Sequence, residues 1–173
     1  MALLSEQEIA AQLRKLTGWT VENLTLRKQY TFGDFPAAVA FVSRLVPDAE
    51  AADHHPDITI NYRRVTLLYS THSEGGLTQK DFDGAAMADA PAVSRTLARS
   101  FATDPVVDWS VRDDDKRDKA MGQWFDFAVK KLGLPGRETW MSDDANAVAL
   151  WIPPPAANGV NVVLGTSTTC ADR

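Results

Sequence analysis

The stretch from Glu50 to Asp81 reads EAADHHPDITINYRRVTLLYSTHSEGGLTQKD, and it contains all three histidines of the chain: His54, His55 and His72. Histidine is the residue type that most readily accepts and donates protons near neutral pH. Three histidines within so short a stretch indicate acid–base chemistry, provided that the fold brings their rings together.

The apolar pattern of this stretch predicts two neighbouring strands. Ile58, Ile60 and Tyr62 alternate with other residues, which is typical of a half-buried strand. A second strand-like run extends from Val65 to Thr71 and ends at His72. The two runs are close enough in sequence to pair as neighbours.

Pairing of the two strands would bring His72 back beside His54 and His55. We therefore predict one pocket that contains three imidazoles and a nearby carboxylate. The candidate acids are Glu50, Asp57 and Asp81.

The residues on either side predict an α+β domain. Ser5 and Glu8 form a capping box at the start of a first helix, and the segment 19–32 is typical of a two-stranded hairpin. Asp34 caps a second helix. We expect this helix to end or kink near Pro47, and a continuation over residues 49–52 after the break is the open alternative.

Thr78 and Asp81 form a further capping box that opens a third helix, and this helix is expected to run through Leu97. The order is helix, two strands, helix, two strands, helix. It predicts a four-stranded antiparallel sheet with helices packed on one face.

Composition and charge exclude several classes of protein. The chain has 173 residues and a formal net charge of −5, so nucleic-acid binding and anionic-membrane binding have no electrostatic support. The single cysteine, Cys170, cannot form an internal disulfide, and neither a signal peptide nor a long apolar run is evident. We expect a cytoplasmic protein that does not contact a membrane.

Several motifs at fixed separations resemble the pterin-4a-carbinolamine dehydratase family. They are Gly18-Trp19, the E-x-x-x-H-H-P pattern from Glu50 to Pro56, Tyr62, Thr71-His72 and the G-G-L-T-x-K-D-F pattern from Gly75 to Phe82. The resemblance covers roughly residues 3–97. It implies dehydration of a 4a-hydroxytetrahydropterin to a quinonoid dihydropterin, without a metal or organic cofactor, by a homodimer or homotetramer.

The resemblance also assigns candidate site residues. His54 and His72 would act as acid and base, and His55 would mainly hold the pterin. Glu50 and Asp81 match acidic positions of the family, where a carboxylate can orient an imidazole.

Other interpretations of the same residues stay open. The histidine pair could consist of solvated turn residues, Asp81 could serve only as a helix cap, and Glu50 could be an exposed residue at a helix end. A zinc or iron site is chemically conceivable. It is not expected, because adjacent strand residues point to opposite sides and H-x-H spacing is absent. A non-catalytic dimerising module, or chemistry on a molybdopterin-type substrate, is an alternative function.

The chain changes character after Leu97, and we predict three segments: a dehydratase-like domain over 1–97, a partial segment over 98–155 and a loose tail over 156–173. Phe101 to Val106 and Ala147 to Pro154 resemble the front part of GNAT-type acetyltransferases. The R/Q-x-x-G-x-G/A loop that would hold the acetyl-CoA pyrophosphate is missing, so this incomplete α/β appendage is not expected to be a working acetyltransferase.

Within the appendage, a helix is predicted over residues 116–132 and a strand over 147–152. A short strand over 160–164 is an option that we do not require. The segment also contains four of the five tryptophans. Without a complete core, these tryptophans would expose apolar surface unless they pack on the first domain or on a partner.

Overall fold

A computed structural model of the protein describes residues 2–111, 115–136, 139–142, 146–151 and 163–164. The chain divides into two compact units, Met1–Ala88 and Asp89–Arg173. The predicted boundary at Leu97 lies inside a helix that runs through Ser100. The division of the chain into the three predicted segments stays a prediction.

The first unit is built on a four-stranded antiparallel sheet with the strand order β1-β2-β4-β3. Helices precede, interrupt and follow the strands, which confirms the predicted α+β architecture. The elements are α1 Glu6–Leu13, β1 Thr20–Glu22, β2 Thr25–Thr31, α2 Phe35–Ala52, β3 Asp57–Asn61, β4 Arg64–Tyr69 and α3 Gln79–Ser100.

The predicted capping box of α1 and the first hairpin are confirmed. In the capping box of α1, the Ser5 side chain accepts from the Glu8 N–H, and Glu8 Oε2 accepts from the Ser5 N–H at 2.8 Å. The β1–β2 turn places Asn23 and Leu24 at φ 50° and 60°. Two successive positive φ angles match the right-handed twist of the flanking strands, which favours a tight hairpin.

Helix α2 begins as predicted; it does not end at Pro47, and the extension over residues 49–52 that the sequence allowed is confirmed. The Asp34 side chain accepts a 2.8 Å hydrogen bond from the Ala37 N–H. The helix continues through Pro47 to Ala52 and ends where Asp53 adopts a left-handed φ of 45°. Pro47 lacks the N–H of one helical bond, but it lies on the exposed side of a helix that is anchored in the core by Ala38, Phe41 and Leu45.

The core of the first unit lies between the sheet and the helices α2 and α3. Leu26, Val65 and Leu67 from the central strands are fully buried. Phe41 and Leu45 from α2 and Leu77 and Phe82 near the start of α3 complete the apolar cluster. The second predicted strand is confirmed as β4, in which buried and partly buried residues alternate after Arg64.

Strand β3 forms as predicted, but the prediction that it is half-buried is wrong. All five of its residues are exposed; Ile58 and Ile60 are each 39% exposed, and Tyr62, just beyond the strand, is 66% exposed. The reason is position: β3 is an edge strand, hydrogen-bonded only to β4 within the described sheet. An alternating pattern predicts a strand but does not say whether a helix covers its apolar face.

The second unit contains further helices and a small antiparallel sheet of strand order β5-β6-β7. Its elements after α3 are α4 Pro105–Ser110, α5 Arg117–Ala128, a π-helical turn Val129–Gly133, a 3₁₀ turn Leu134–Gly136, β5 Thr139–Met141, β6 Val148–Trp151 and β7 Val163–Leu164. The predicted helix over 116–132 corresponds to α5 and the π-helical turn, and the predicted strand over 147–152 corresponds to β6. Of the optional strand over 160–164, only the residues of β7 are described. The tail over 156–173 lies outside the described residues except for β7.

Four tryptophans of the second unit are exposed, as the sequence predicted for an incomplete core. Trp109 is 88% exposed, and Trp124, Trp140 and Trp151 lie between 40% and 52%. Within the described part of the chain, no helix is long and apolar enough to cross a membrane.

Candidate active site

The histidines emerge at one end of the first sheet. Strands β3 and β4 are antiparallel neighbours, and Asp57 at the start of β3 faces Leu68 near the end of β4. His54 and His55 lie just before β3, and His72 lies just after β4. The strand pairing that the sequence predicted is therefore confirmed. It places all three histidines at the same end of the sheet.

His54 is the most enclosed of the three. Its side chain is 11% exposed, and its Nε2 atom lies 2.8 Å from Oδ1 of Asp81. Its backbone N–H donates to the Ala49 carbonyl at 3.2 Å, which ties the residue to the last turn of α2. Hydrogen bonds to both its backbone and its ring therefore fix the position of His54.

Asp81 is fully buried and accepts hydrogen bonds from several donors. Its Oδ2 atom accepts from the Thr78 N–H at 2.7 Å and from the Thr71 hydroxyl at 2.8 Å. The Thr78 hydroxyl is 3.2 Å from the same oxygen. The carboxylate therefore joins the end of β4, the start of α3 and the histidine loop.

The contact with Asp81 favours one tautomer of the His54 ring. A carboxylate only accepts hydrogen bonds when it is ionised, and in that state the His54 Nε2 atom is the donor of this bond. In the neutral ring, the Nδ1 atom is then the one with a free lone pair. Asp81 is a helix cap, as the simpler interpretation held, and it also orients an imidazole.

The flat face of the His54 ring packs on Tyr69. The two ring centroids are 5.8 Å apart, and the rings are inclined by 25°. Tyr69, the last residue of β4, is 3% exposed. An offset stack of this kind is a favoured arrangement of aromatic rings.

A cavity of about 260 Å³ opens beside His54. Its walls are largely apolar, and His54, Asp48, Lys80 and Asp83 supply polar groups. The residues that line it are Leu45, Asp48, Ala49, Ala52, His54, Tyr69, Lys80, Asp83, Gly84, Met87 and Ala88. A cleft with apolar walls and a few charged groups is typical of a small-molecule site.

His55 and Glu50 form a second, more exposed pair. His55 Nε2 lies 2.9 Å from Glu50 Oε1, and the two side chains are 54% and 69% exposed. The third candidate acid, Asp57, is an exposed residue at the start of β3. Of the three candidate acids, Glu50 and Asp81 are thus the two that hydrogen-bond to a histidine.

His72 lies in the turn that leads from β4 to α3, and its ring is exposed. Its carbonyl accepts from the Gly75 N–H at 3.3 Å. The preceding residue, Thr71, donates to Asp81, so the His72 backbone lies next to the network that holds His54. His55 and His72 are not among the described residues that line the cavity. Convergence of all three rings on one substrate stays a prediction.

Sequence reasoning did not single out Tyr69 or Asp48, because their place in the site depends on how α2, β4 and α3 pack. Lys80 lies within the G-G-L-T-x-K-D-F pattern, but no role was assigned to it. Thr71 carried a weak signal, since it precedes His72 in the Thr-His pair. Among the described residues, no group of three His, Cys, Asp or Glu side chains is arranged to hold a metal ion.

Comparison with known proteins gives a consistent result for the first unit. The model of the family described as Pterin 4 alpha carbinolamine dehydratase matches residues 2–90. A Nostoc protein named "Putative pterin-4-alpha-carbinolamine dehydratase" is 55% identical over 84 residues, covering 49% of this chain and 90% of the relative. A protein of the same name from Roseiflexus castenholzii is 53% identical over 88 residues, covering 51% and 95%.

A solved structure also matches this part of the chain. It is the crystal structure of a protein from Brucella melitensis described as a transcriptional coactivator/pterin dehydratase, and the two chains share 34% sequence identity with a TM-score of 0.50. The match covers 51% of this chain and 97% of the other. The remainder of this chain lies outside these matches.

Proposed function

This chain belongs to the pterin 4 alpha carbinolamine dehydratase family, and we propose that it converts a 4a-hydroxytetrahydropterin to a quinonoid dihydropterin and water. The observation that carries the proposal is the contact between His54, at the wall of a cavity, and the buried carboxylate of Asp81. This contact lies at the end of the sheet where His55 and His72 are also located.

The reaction needs one proton donor and one proton acceptor. The hydroxyl on C4a leaves as water when an acid protonates it, and the C4a–O bond breaks. A base removes the proton from N5, and the electron pair of the N5–H bond forms the C4a=N5 double bond. Each proton transfer by a positioned group contributes about 10²–10⁴-fold in rate.

The proposed roles follow the placement of the histidines. His54 and His72 divide the acid and base tasks, and Asp81 holds His54 in one tautomer through the 2.8 Å contact to Nε2. His55, paired with Glu50, holds the pterin. One protonated and one neutral imidazole can coexist near neutral pH, so the pair can perform both transfers without a further group.

The cavity supports a small aromatic substrate. Tyr69, Met87 and Leu45 supply apolar surface for a flat bicyclic ring, and the charged side chains of Asp48 and Lys80 supply hydrogen-bonding groups at its wall. Partly apolar clefts with few polar groups bind such rings while fixing their orientation. We propose that the pterin occupies this cavity with its reacting edge toward the histidines.

We also propose that the protein works as a homodimer or homotetramer. The edge strand β3 leaves its outer backbone groups without a strand partner in the described sheet, and Ile58 and Ile60 present apolar surface beside it. An exposed apolar edge is a favourable place for another copy of the chain to pair.

The proposed activity is tested by following the decay of a 4a-hydroxytetrahydropterin by absorbance. The full chain should accelerate the decay over buffer, and His54→Ala and His72→Ala should each lower the rate by about 10²-fold or more. Ser43→Ala, an exposed helix substitution, serves as the control and should keep the wild-type rate. Equal rates for wild type, variants and buffer would end the dehydratase proposal.

A second candidate function is a non-catalytic module that acts by dimerising with another protein. The exposed β3 edge favours it, as does the similarity to the Brucella melitensis protein, which is described as a coactivator as well as a dehydratase. An inactive protein that still forms a stable oligomer would support this alternative. Poor activity on simple pterins with an intact pocket would instead indicate a molybdopterin-type substrate.

A further inference from the structure

The Tyr69 side chain is enclosed by aromatic rings and by the backbone of α3. Its ring centroid lies 5.9 Å from that of Trp19 and 5.8 Å from that of His54. Only 3% of the residue is exposed. The ring therefore has little freedom to move, and one of its faces supports the imidazole.

Gly84 provides the space that this arrangement requires. A Cβ atom at position 84 would lie 2.6 Å from Cε1 and 3.0 Å from Cζ of Tyr69. Such distances are well inside van der Waals contact, so any larger residue would displace the tyrosine ring. A glycine inside a helix costs about 0.5–1 kcal/mol relative to alanine, and here it permits the close approach of α3 to Tyr69.

His54 is therefore supported in two directions. Asp81 bonds the edge of the imidazole through Nε2, and this bond leaves the ring free to rotate about the bonded direction. Tyr69 packs against the face of the imidazole and opposes that rotation. Tyr69 and Gly84 also line the cavity, so a shift of the tyrosine ring would change the cavity and the histidine together.

We propose that Tyr69, accommodated by Gly84, is a positioning residue that fixes the plane of the His54 imidazole at the wall of the cavity. This inference rests on the proposed function, because it names the group that holds the proposed acid–base residue in its working orientation. Tyr69 also supplies apolar surface to the cavity, but in this positioning role it acts through His54.

The first test does not depend on activity. Proton NMR of the histidine rings detects Tyr69, because an aromatic face shifts the resonances of protons above it to high field. The His54 ring signals, assigned by their loss in His54→Gln, should move downfield in Tyr69→Leu and stay in place in Tyr69→Phe. The signals of the exposed His55 should not respond.

The second test uses the Gly84 contact. Gly84→Ala should move the His54 signals and lower kcat by about 10-fold to 100-fold, since small misplacements of a reacting group cost about this much. In a Tyr69→Leu background, Gly84→Ala should have little additional effect because the ring that it contacts is gone. Gly122→Ala is the matched control, since a Cβ there meets no atom within 4 Å.

The outcomes separate this inference from the proposed function. Unchanged His54 signals in Tyr69→Leu, or a Gly84→Ala effect of equal size with and without Tyr69, would overturn the positioning role. Loss of kcat in Tyr69→Leu with recovery in Tyr69→Phe supports it. If wild type fails to dehydrate the pterin while the His54 signals still depend on Tyr69, the dehydratase proposal fails and the positioning of His54 by Tyr69 is supported.

Discussion

Nε2 of His54 and Oδ1 of Asp81 are 2.8 Å apart, and the carboxylate that makes this contact is completely buried. The other oxygen of Asp81 accepts the Thr78 N–H at the start of α3. One side chain therefore both begins a helix and orients an imidazole. Helix capping and site geometry are coupled in this fold, so a change at Asp81 should affect stability and activity together.

Replacing Asp81 by asparagine should show this coupling. The Thr71 hydroxyl and the Thr78 N–H both donate to Oδ2 of Asp81. An asparagine NH2 group at that place would face these donors and could not accept their hydrogen bonds. We expect the free energy of unfolding to fall by about 1–3 kcal/mol and kcat to fall by about 10²-fold or more. Urea unfolding and the dehydration assay measure the two effects.

Asp34→Asn is the matched control for that variant. Asp34 caps α2 through a single bond from the Ala37 N–H, and asparagine caps a helix about as well as aspartate. This variant should keep both its stability and its activity. A loss of activity in Asp34→Asn as large as that in Asp81→Asn would show that the effect is not specific to the His54 contact.

The exposed Glu50–His55 pair should behave differently. Both side chains are more than half exposed, and ion pairs at the surface contribute about 0–1 kcal/mol. Glu50→Gln should therefore leave the unfolding midpoint in urea nearly unchanged. If Glu50 orients His55 on the pterin, KM should rise several-fold while kcat changes little. Unaltered kinetics would show that Glu50 is only an exposed residue at the end of a helix.

If copies of the chain pair through the edge strand β3, a charged substitution on its apolar face should dissociate the oligomer. Ile58 and Ile60 lie two residues apart, on one face of β3, and both are exposed. Ile60→Lys should shift the particle size, measured by light scattering, from dimer or tetramer toward monomer. Thr59→Lys, on the opposite face of the same strand, should not. A wild-type protein that is monomeric at all concentrations would contradict the proposed assembly.

The capping box of α1 predicts a specific pH dependence. The pKa of Glu8 lies below its ordinary value of 4.5, because its carboxylate accepts hydrogen bonds from the Ser5 side chain and then from the Ser5 backbone. The associated stabilisation is present above pH 4.5 and is lost as the pH falls through the lowered pKa. Carboxyl NMR should show that the pKa of Glu8 lies below 4.5, and Ser5→Ala should raise the pKa of Glu8 toward that ordinary value.

Sequence patterns predicted the first unit well where local chemistry determines structure. The caps at Ser5 and Asp34, the hairpin over 19–32 and the pairing of the two strands all depend on residues close in sequence. Pro47 shows the limit of such reasoning. Its local preference to break a helix did not end α2, which is anchored in the core through Phe41 and Leu45.

Tertiary packing decided the features that the sequence could not predict. The alternation of Ile58 and Ile60 predicted a strand, but its position at the sheet edge left it uncovered. The stack of Tyr69 on His54 joins residues 15 positions apart through the approach of α3, which depends on Gly84. No spacing rule reveals such a contact, whereas the histidine cluster itself was evident from the sequence.

The central claim is that His54, His55 and His72 surround one bound pterin ring. It is tested most directly by titrating the full chain with 7,8-dihydrobiopterin while the ring signals of all three histidines are followed by proton NMR. We predict that the three sets of signals shift together and saturate with one dissociation constant. Signals of His72 that stay fixed while those of His54 shift would contradict the claim.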